Sequence, residues 1–195
     1  MWDVAVLELA LKTETSPFLR AHYQFYLAQS YRDCGEHESA LAHDLARAEP
    51  GFWQEEVFIS LYRAAQMKEQ LDHSEQEVIA AYLRAADALT TRAEALHGAS
   101  RFCRQKERYE EGYKIAKRAL DIAMPSDGLF VEPWIYQFGV LDELSVNAYW
   151  AGHNWDCLDA SLKILATGRL SGDDARRFAE NARFAAERLQ RDSIS

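Results

Sequence analysis

Arg101 and Arg104 stand one helical turn apart in the run RFCRQ, and forked guanidinium donors at that spacing can clamp a carboxylate or a phosphate. The plainer alternative is pairing with Glu94, Glu107 or a neighbouring segment, since charged helix faces are usually solvated. His37 and His43 bound the run HESALAH, which has the residue types of a zinc-binding helix. Zinc needs histidines at i and i+4, and the spacing of six here turns the rings to different faces. The adjacent carboxylates Glu55-Glu56 and Asp142-Glu143 diverge by about 100° on a helix, so neither pair converges on one substrate atom. Glu55 and Glu56 suit the positive start of a helix, whereas Asp142 is the better functional candidate. Cys34, Cys103 and Cys157 are far apart and form no CxxC pair, so they read as reduced core fillers of a cytoplasmic protein. No GxSxG elbow, GxxxxGK[ST] loop or GxGxxG fingerprint occurs. The expectation is a chain that is no enzyme, with no catalytic residues, no metal and no cofactor.

The elements that would position such side chains are helical. Hydrophobic residues make up 48% of the 195 and charged residues 27%, a globular balance for one domain. Four prolines and nine glycines are too few for an all-β chain. A net charge of -9 argues against nucleic acid. No stretch approaches the roughly 18 apolar residues of a membrane span. The start, MWDVAVLELALKTE, carries Asp3 and Glu8 without a basic leader and reads as a helix.

Helix pairs recur along the chain. Ser16 caps a helix with Pro17 at its first position, and Tyr23, Leu27, Tyr31 and Cys34 form its apolar stripe up to Gly35. HESALAHDLARAE is its partner, and Pro50-Gly51 ends the pair. FWQEEVFISLYRAAQMKEQLD opens the second pair, and Ser74 with Glu77 has capping-box spacing for its second helix. A third pair closes at Pro125, the loop PSDGLF follows, and a fourth turns at Gly152 and ends near Gly168. The turn positions Gly35, Asp72, Glu107 and Gly152 are 37, 35 and 45 residues apart. Ser171 then caps a last helix whose apolar stripe is Ala175, Phe178, Ala182, Ala185 and Leu189, as suits a cap with a charged back. The tail from Asp192 to Ser195 is expected to fray. The predicted units are 1–15 as an orphan second helix, pairs over 16–50, 51–90, 91–125 and 131–168, and a cap over 171–191.

On these residues the chain resembles the tetratricopeptide family. Leu27, Ala28, Tyr31, Gly35 and Ala40 match its pattern in the first full copy. Leu61, Ala64, Ala65, Tyr82 and Ala85 match in the second, Leu96, Ser100, Tyr109, Ala119 and Leu120 in the third, and Leu141, Leu144, Ser145 and Gly152 in the fourth. The strings FYLAQSYRDCGE, GFWQEEVFISLYRAA, TRAEALHGASRFCR and LFVEPWIYQFGVLDELSVNAYWAGH, among others, look like the helical region attached to certain bacterial family 2 glycosyltransferases. Asp44, Asn154 and Trp155 depart from it where an aromatic or basic residue is expected. The chain has no DxD, which transferases of that kind generally use to hold a divalent metal, so the activity is not carried over.

The resemblance implies a right-handed superhelical solenoid whose first helices line a groove. Counting back from each turn, the groove residues would be Phe25, Gln29 and Arg32; Tyr62, Gln66 and Glu69; His97, Arg101 and Arg104; and Asp142, Val146 and Tyr149. The expected role is a protein-interaction scaffold that receives a protein, peptide or glycan acceptor there. The alternatives are a glycosyltransferase-related fragment with sugar bound by Tyr62, Asp142 and Trp150, and an oligomerisation unit. The first helix, apolar nearly all round through Trp2, Val4, Val6, Leu7, Leu9 and Leu11, is expected to dock on another copy or on an upstream domain. Trp150 and Trp155 flank the fourth turn, where at least one is expected to be exposed.

Overall fold

The computed structural model describes residues 2–168 and 171–192, without the side chains of Trp2 and Asp3. The contribution of Trp2 to an apolar first helix and the fray expected over 193–195 lie outside the described residues. All regular elements among those residues are helices, with no strand. Ten α-helices follow in order: α1 Trp2–Thr13, α2 Pro17–Asp33, α3 His37–Ala48, α4 Gln54–Gln70, α5 Glu75–Ala88, α6 Glu94–Gln105, α7 Tyr109–Ala119, α8 Val140–Ala151, α9 Asn154–Ala166 and α10 Gly172–Asp192. One turn of π-helix, Ile135–Gly139, runs into α8. No described helix is long and apolar enough to cross a membrane.

The starts are chemically marked. Ser16 Oγ accepts from the Leu19 amide with Pro17 first in α2, and Ser74 and Glu77 close a reciprocal capping box on α5. Ser171 Oγ accepts from the Asp174 amide at the head of α10. The ends share a second device. Gly35, Asp72, Glu107 and Gly152 all have left-handed backbone, with φ of 77°, 53°, 57° and 88°. The residue after each donates its amide five residues back: Glu36 to Tyr31, His73 to Lys68, Arg108 to Cys103 and His153 to Ala148, at 2.9, 3.0, 2.8 and 2.8 Å. This is the same helix-ending motif four times, at the four turn positions read from the sequence.

The turns set a common register. Seven residues before each lies Ala28, Ala65, Ser100 or Ser145, all fully buried. Small side chains in that row let the second helix of a pair approach its first. In the third pair Ser100 Oγ donates to the Gly112 carbonyl at 2.8 Å, so the α7 backbone sits directly on α6.

The chain divides into two compact units. Unit 1 is 1–95 with 125–131, and unit 2 is 96–124 with 132–195. In unit 1 consecutive helices α1 to α5 pack on one another, around Leu27, Phe58, Val78 and Tyr82. Arg20 donates to the Leu11 and Glu14 carbonyls and so satisfies the end of α1. Tyr31 donates to Glu8, a hydrogen bond that together with burial pushes the phenol up to about 12. Val6 and Leu9 remain exposed on one side of α1. In unit 2, α7 to α10 pack consecutively, and Tyr113, Leu144, Ala148, Cys157 and Ala185 share a core. Phe178, Ala182 and Ala185 of the expected α10 stripe are buried, and Ala175 and Leu189 are half-buried.

A β-carbon on Gly112 would stand 2.7 Å from Asn147 Cγ. Asn147 is fully buried and donates to Ser100 Oγ at 3.1 Å and to the Glu143 carbonyl at 2.8 Å, so it cannot swing away freely. Gly112→Ala is expected to lower unfolding stability by about 2 kcal/mol in urea titrations. In an Asn147→Ala background that cost should fall by more than half, and additive costs would show that the two positions do not collide.

Candidate functional site

Two stripes of half-buried to exposed polar side chains face one cavity in unit 1. On α2 the stripe is Gln29, Arg32 and Asp33, and on α4 it is Arg63, Gln66 and Gln70. Residues at i, i+3 and i+7 of a helix share a face, which is how 63, 66 and 70 line up. His37 at the head of α3 and Phe130 of the 125–131 segment complete the wall, with Ile59 and Met67 as its apolar part. The cavity measures about 360 Å³.

Phe130 reaches the cavity through a buried ion network. Arg92 is fully buried; it donates to Glu94 at 2.8 Å and to Glu55 at 2.6 Å, and it stacks over Phe58 at 4.8 Å. Its remaining reach goes to the Leu129 carbonyl at 3.0 Å, while Glu55 Oε2 accepts the Leu129 amide at 3.2 Å. Both backbone groups of Leu129 are thus held. Phe130 follows with φ of 49°, a left-handed conformation that costs a non-glycine residue about 1–2 kcal/mol. A second grip of this kind fixes the α3–α4 link. Buried Arg47 pairs with Glu56 at 2.8 Å and donates to the Gly51 carbonyl at 3.0 Å.

Behind the cavity lies Asp44, which accepts from Arg32 at 2.6 Å and is 1% exposed. Burial pushes its carboxyl up to about 7, outweighing the pull of Arg32 and Arg63 and of the Ser60 hydroxyl. Its Oδ1 has no hydrogen-bond partner, and neither has the buried Nδ1 of His37. Arg63 donates to Gln66 Oε1 at 2.8 Å and lies over the Tyr62 ring at 5.7 Å.

Of the residues expected along the groove, Gln29, Arg32 and Gln66 meet here. Phe25 and Tyr62 do not: both are buried in the core. They stand ten residues before their turns, and the more accessible neighbour is the ninth, exposed Tyr26 on α2 and half-buried Arg63 on α4. One residue rotates a side chain by about 100°, enough to exchange core for surface. Glu69 is occupied by the Tyr82 hydroxyl at 2.7 Å. His97 is buried edge-on to Trp134 at 4.9 Å.

The remaining candidates lie in unit 2 and are engaged in pairs. Arg104 grips Glu143 with two hydrogen bonds of 2.8 and 3.0 Å. Burial raises the Glu143 carboxyl, against the pull of Arg104. Of the forked clamp expected of Arg101 and Arg104, Arg104 is thus spent on the next helix pair, while Arg101 donates along α6 to Gln105. Asp142 is bidentate to Arg177 at 2.8 and 2.9 Å. Tyr149 lies under Arg188, 3.8 Å from its ring centre, beside an aromatic hollow of about 300 Å³ lined by Val146, Tyr149, Trp150, Asn181 and Phe184. Trp150 and Trp155 are both exposed.

His37 and His43 occupy separate settings, the cavity wall and a stack on Tyr31 at 5.2 Å. Cys103 and Cys157 are buried, and burial holds the Cys157 thiol up at about 11, whereas Cys34 is exposed and fills no core. Arg63, Gln70, His37, Asp33 and Phe130 were missed as wall residues. The i, i+3, i+7 spacing of Arg63, Gln66 and Gln70 was available in the sequence, but the return of 125–131 was not. No protein-family model matches the chain, and no curated protein matches it.

Proposed function

We propose that the chain is a tetratricopeptide-like binding and scaffold module, a right-handed superhelix of helix pairs, whose unit 1 cavity receives an extended segment of a protein partner. The observation that carries this reading is the meeting of Gln29 and Arg32 from the first helix of one pair with Arg63, Gln66 and Gln70 from the first helix of the next around one polar cavity. A carboxamide donates and accepts at once, and an extended backbone offers one donor and one acceptor per residue. Three glutamines from two helices that line one cavity therefore suit a peptide strand. Side chains preset on helices also lose little freedom when a ligand arrives. The repeated turn register supports the tetratricopeptide-like part of the reading. The service such a module performs is to hold a partner for a bacterial glycosyltransferase, as the resemblance implies.

Nuclear magnetic resonance of the full chain against a library of hexapeptides tests this. Binders should shift the side-chain amides of Gln29, Gln66 and Gln70. Gln29→Ala/Gln66→Ala should weaken binding at least about tenfold with helicity unchanged. Shifts confined to other surfaces, such as that around Trp150, or no binding by any peptide, would overturn it.

A further inference from the structure

We propose that this cavity selects an acidic peptide, and that Asp44 gates it by competing with the peptide carboxylate for Arg32. The inference rests on the binding role proposed above and adds the chemistry of the ligand and its control. Arg32, Arg47, Arg92, Arg104 and Arg177 each hold a carboxylate of this chain. Arg63 makes no such pair within 4 Å among the described residues; it donates to the Gln66 amide oxygen and lies over the Tyr62 ring. It faces the cavity with Arg32, and His37 adds a buried ring nitrogen without a partner. Asp33 is the carboxylate of this wall, and against it stand two guanidiniums, of which Arg63 feels Asp44 only at longer range and forms no direct ion pair among the described residues. The chain as a whole carries a net charge of -9, so its general field repels an acidic peptide. Attraction has to come from this local pair, through forked, charge-assisted hydrogen bonds.

Asp44 supplies the control. From α2 it faces Arg32, from α4 Arg63 and the Ser60 hydroxyl, and on α3 itself His37 lies two turns away on the same face. While Asp44 is ionised, it holds Arg32 at 2.6 Å. Once it takes a proton, the charge of Arg32 is released to the cavity. Burial places that step near neutrality, with the carboxyl pushed up to about 7.

The test is fluorescence anisotropy of the full chain with rhodamine-labelled hexaglutamate and hexaglutamine at pH 6 and pH 8, with inorganic phosphate as competitor. Hexaglutamate should bind about tenfold tighter at pH 6 than at pH 8, the change in the protonated fraction of a group near 7. Asp44→Asn should remove that dependence and bind at pH 8 as tightly as the native chain at pH 6. A dependence left in Asp44→Asn would place the control on another group and overturn the gate. Arg63→Ala should weaken binding at least about tenfold at both pH values, and Arg63→Lys should recover part of it, with circular dichroism confirming the fold of each. Equal binding of hexaglutamine overturns acidic selection and leaves the binding role standing. No binding by either peptide overturns acidic selection, and the hexapeptide library then decides whether the binding role stands. Full displacement by phosphate at equal concentration would make the site one for a free oxyanion and overturn the peptide.

Discussion

Arg92→Ala is expected to lower unfolding stability by about 3–5 kcal/mol, because it removes one partner from a buried ion pair and leaves the other. Glu94 is 1% exposed and Glu55 only partly exposed, and both now share this guanidinium. Without it, two carboxylates face a low-dielectric interior and each other. The cation over the Phe58 ring and the hydrogen bond to Leu129 go as well. The local consequence is as specific as the global one. Leu129 keeps only its amide bond to Glu55, so the 125–131 segment loosens and Phe130 leaves the cavity wall. Urea unfolding should give the loss in stability, and hydrogen exchange should show faster exchange at Leu129 even under native conditions. Arg92→Met/Glu94→Gln should recover much of the stability, since an apolar and hydrogen-bonding pair avoids the stranded charge. A loss under about 1 kcal/mol for Arg92→Ala would mean that water reaches the network and that Phe130 is held by something else.

Those same contacts explain what could and could not be seen beforehand. Helices and their ends are local events. Ser16-Pro17, Ser74 with Glu77, and glycines at 35 and 152 each announce themselves within a few residues. Asp72 and Glu107 are left-handed without glycine, and only their spacing from the other turns marks them. The wall of the cavity depends on rotation about a helix axis. At 25–26 the sequence offers two aromatics, and at 62–63 a tyrosine and an arginine whose long stem can sit on apolar surface, so composition does not choose between neighbours. Packing against the next helix chooses, and it put Phe25 and Tyr62 inside. The ion network is harder still. Arg92 meets Glu55 and Leu129 across 37 residues in each direction, and Arg104 meets Glu143 across 39. A helical periodicity assigns such charges to solvent by default. Their burial follows from tertiary pairing that no local pattern records.

Asp44→Asn is expected to stabilise the chain at pH 8 by up to about 4 kcal/mol and to change little at pH 4, so the two unfolding curves should converge on acidification. The direction follows from where the proton sits. In the unfolded chain Asp44 titrates near its ordinary value of 3.8, and in the fold burial raises it to about 7. Below about 4 both states hold the proton and nothing is lost. Between 4 and 7 the unfolded chain has released it while the native chain has not, so stability falls as pH rises through this window. Above 7 both are ionised, and the native state bears the whole cost of a desolvated carboxylate. Arg32, Arg63 and Ser60 reduce that cost without cancelling it, since Oδ1 finds no hydrogen-bond partner. Thermal or urea unfolding of both proteins from pH 4 to pH 8 gives the difference directly, and other titrating groups such as Glu143 cancel in it. Parallel curves would show that water or a shift of Arg32 solvates Asp44 in solution. A converging pair would establish a site where the fold keeps an unfavourable charge beside its cavity, as expected when a residue is retained for binding and not for stability.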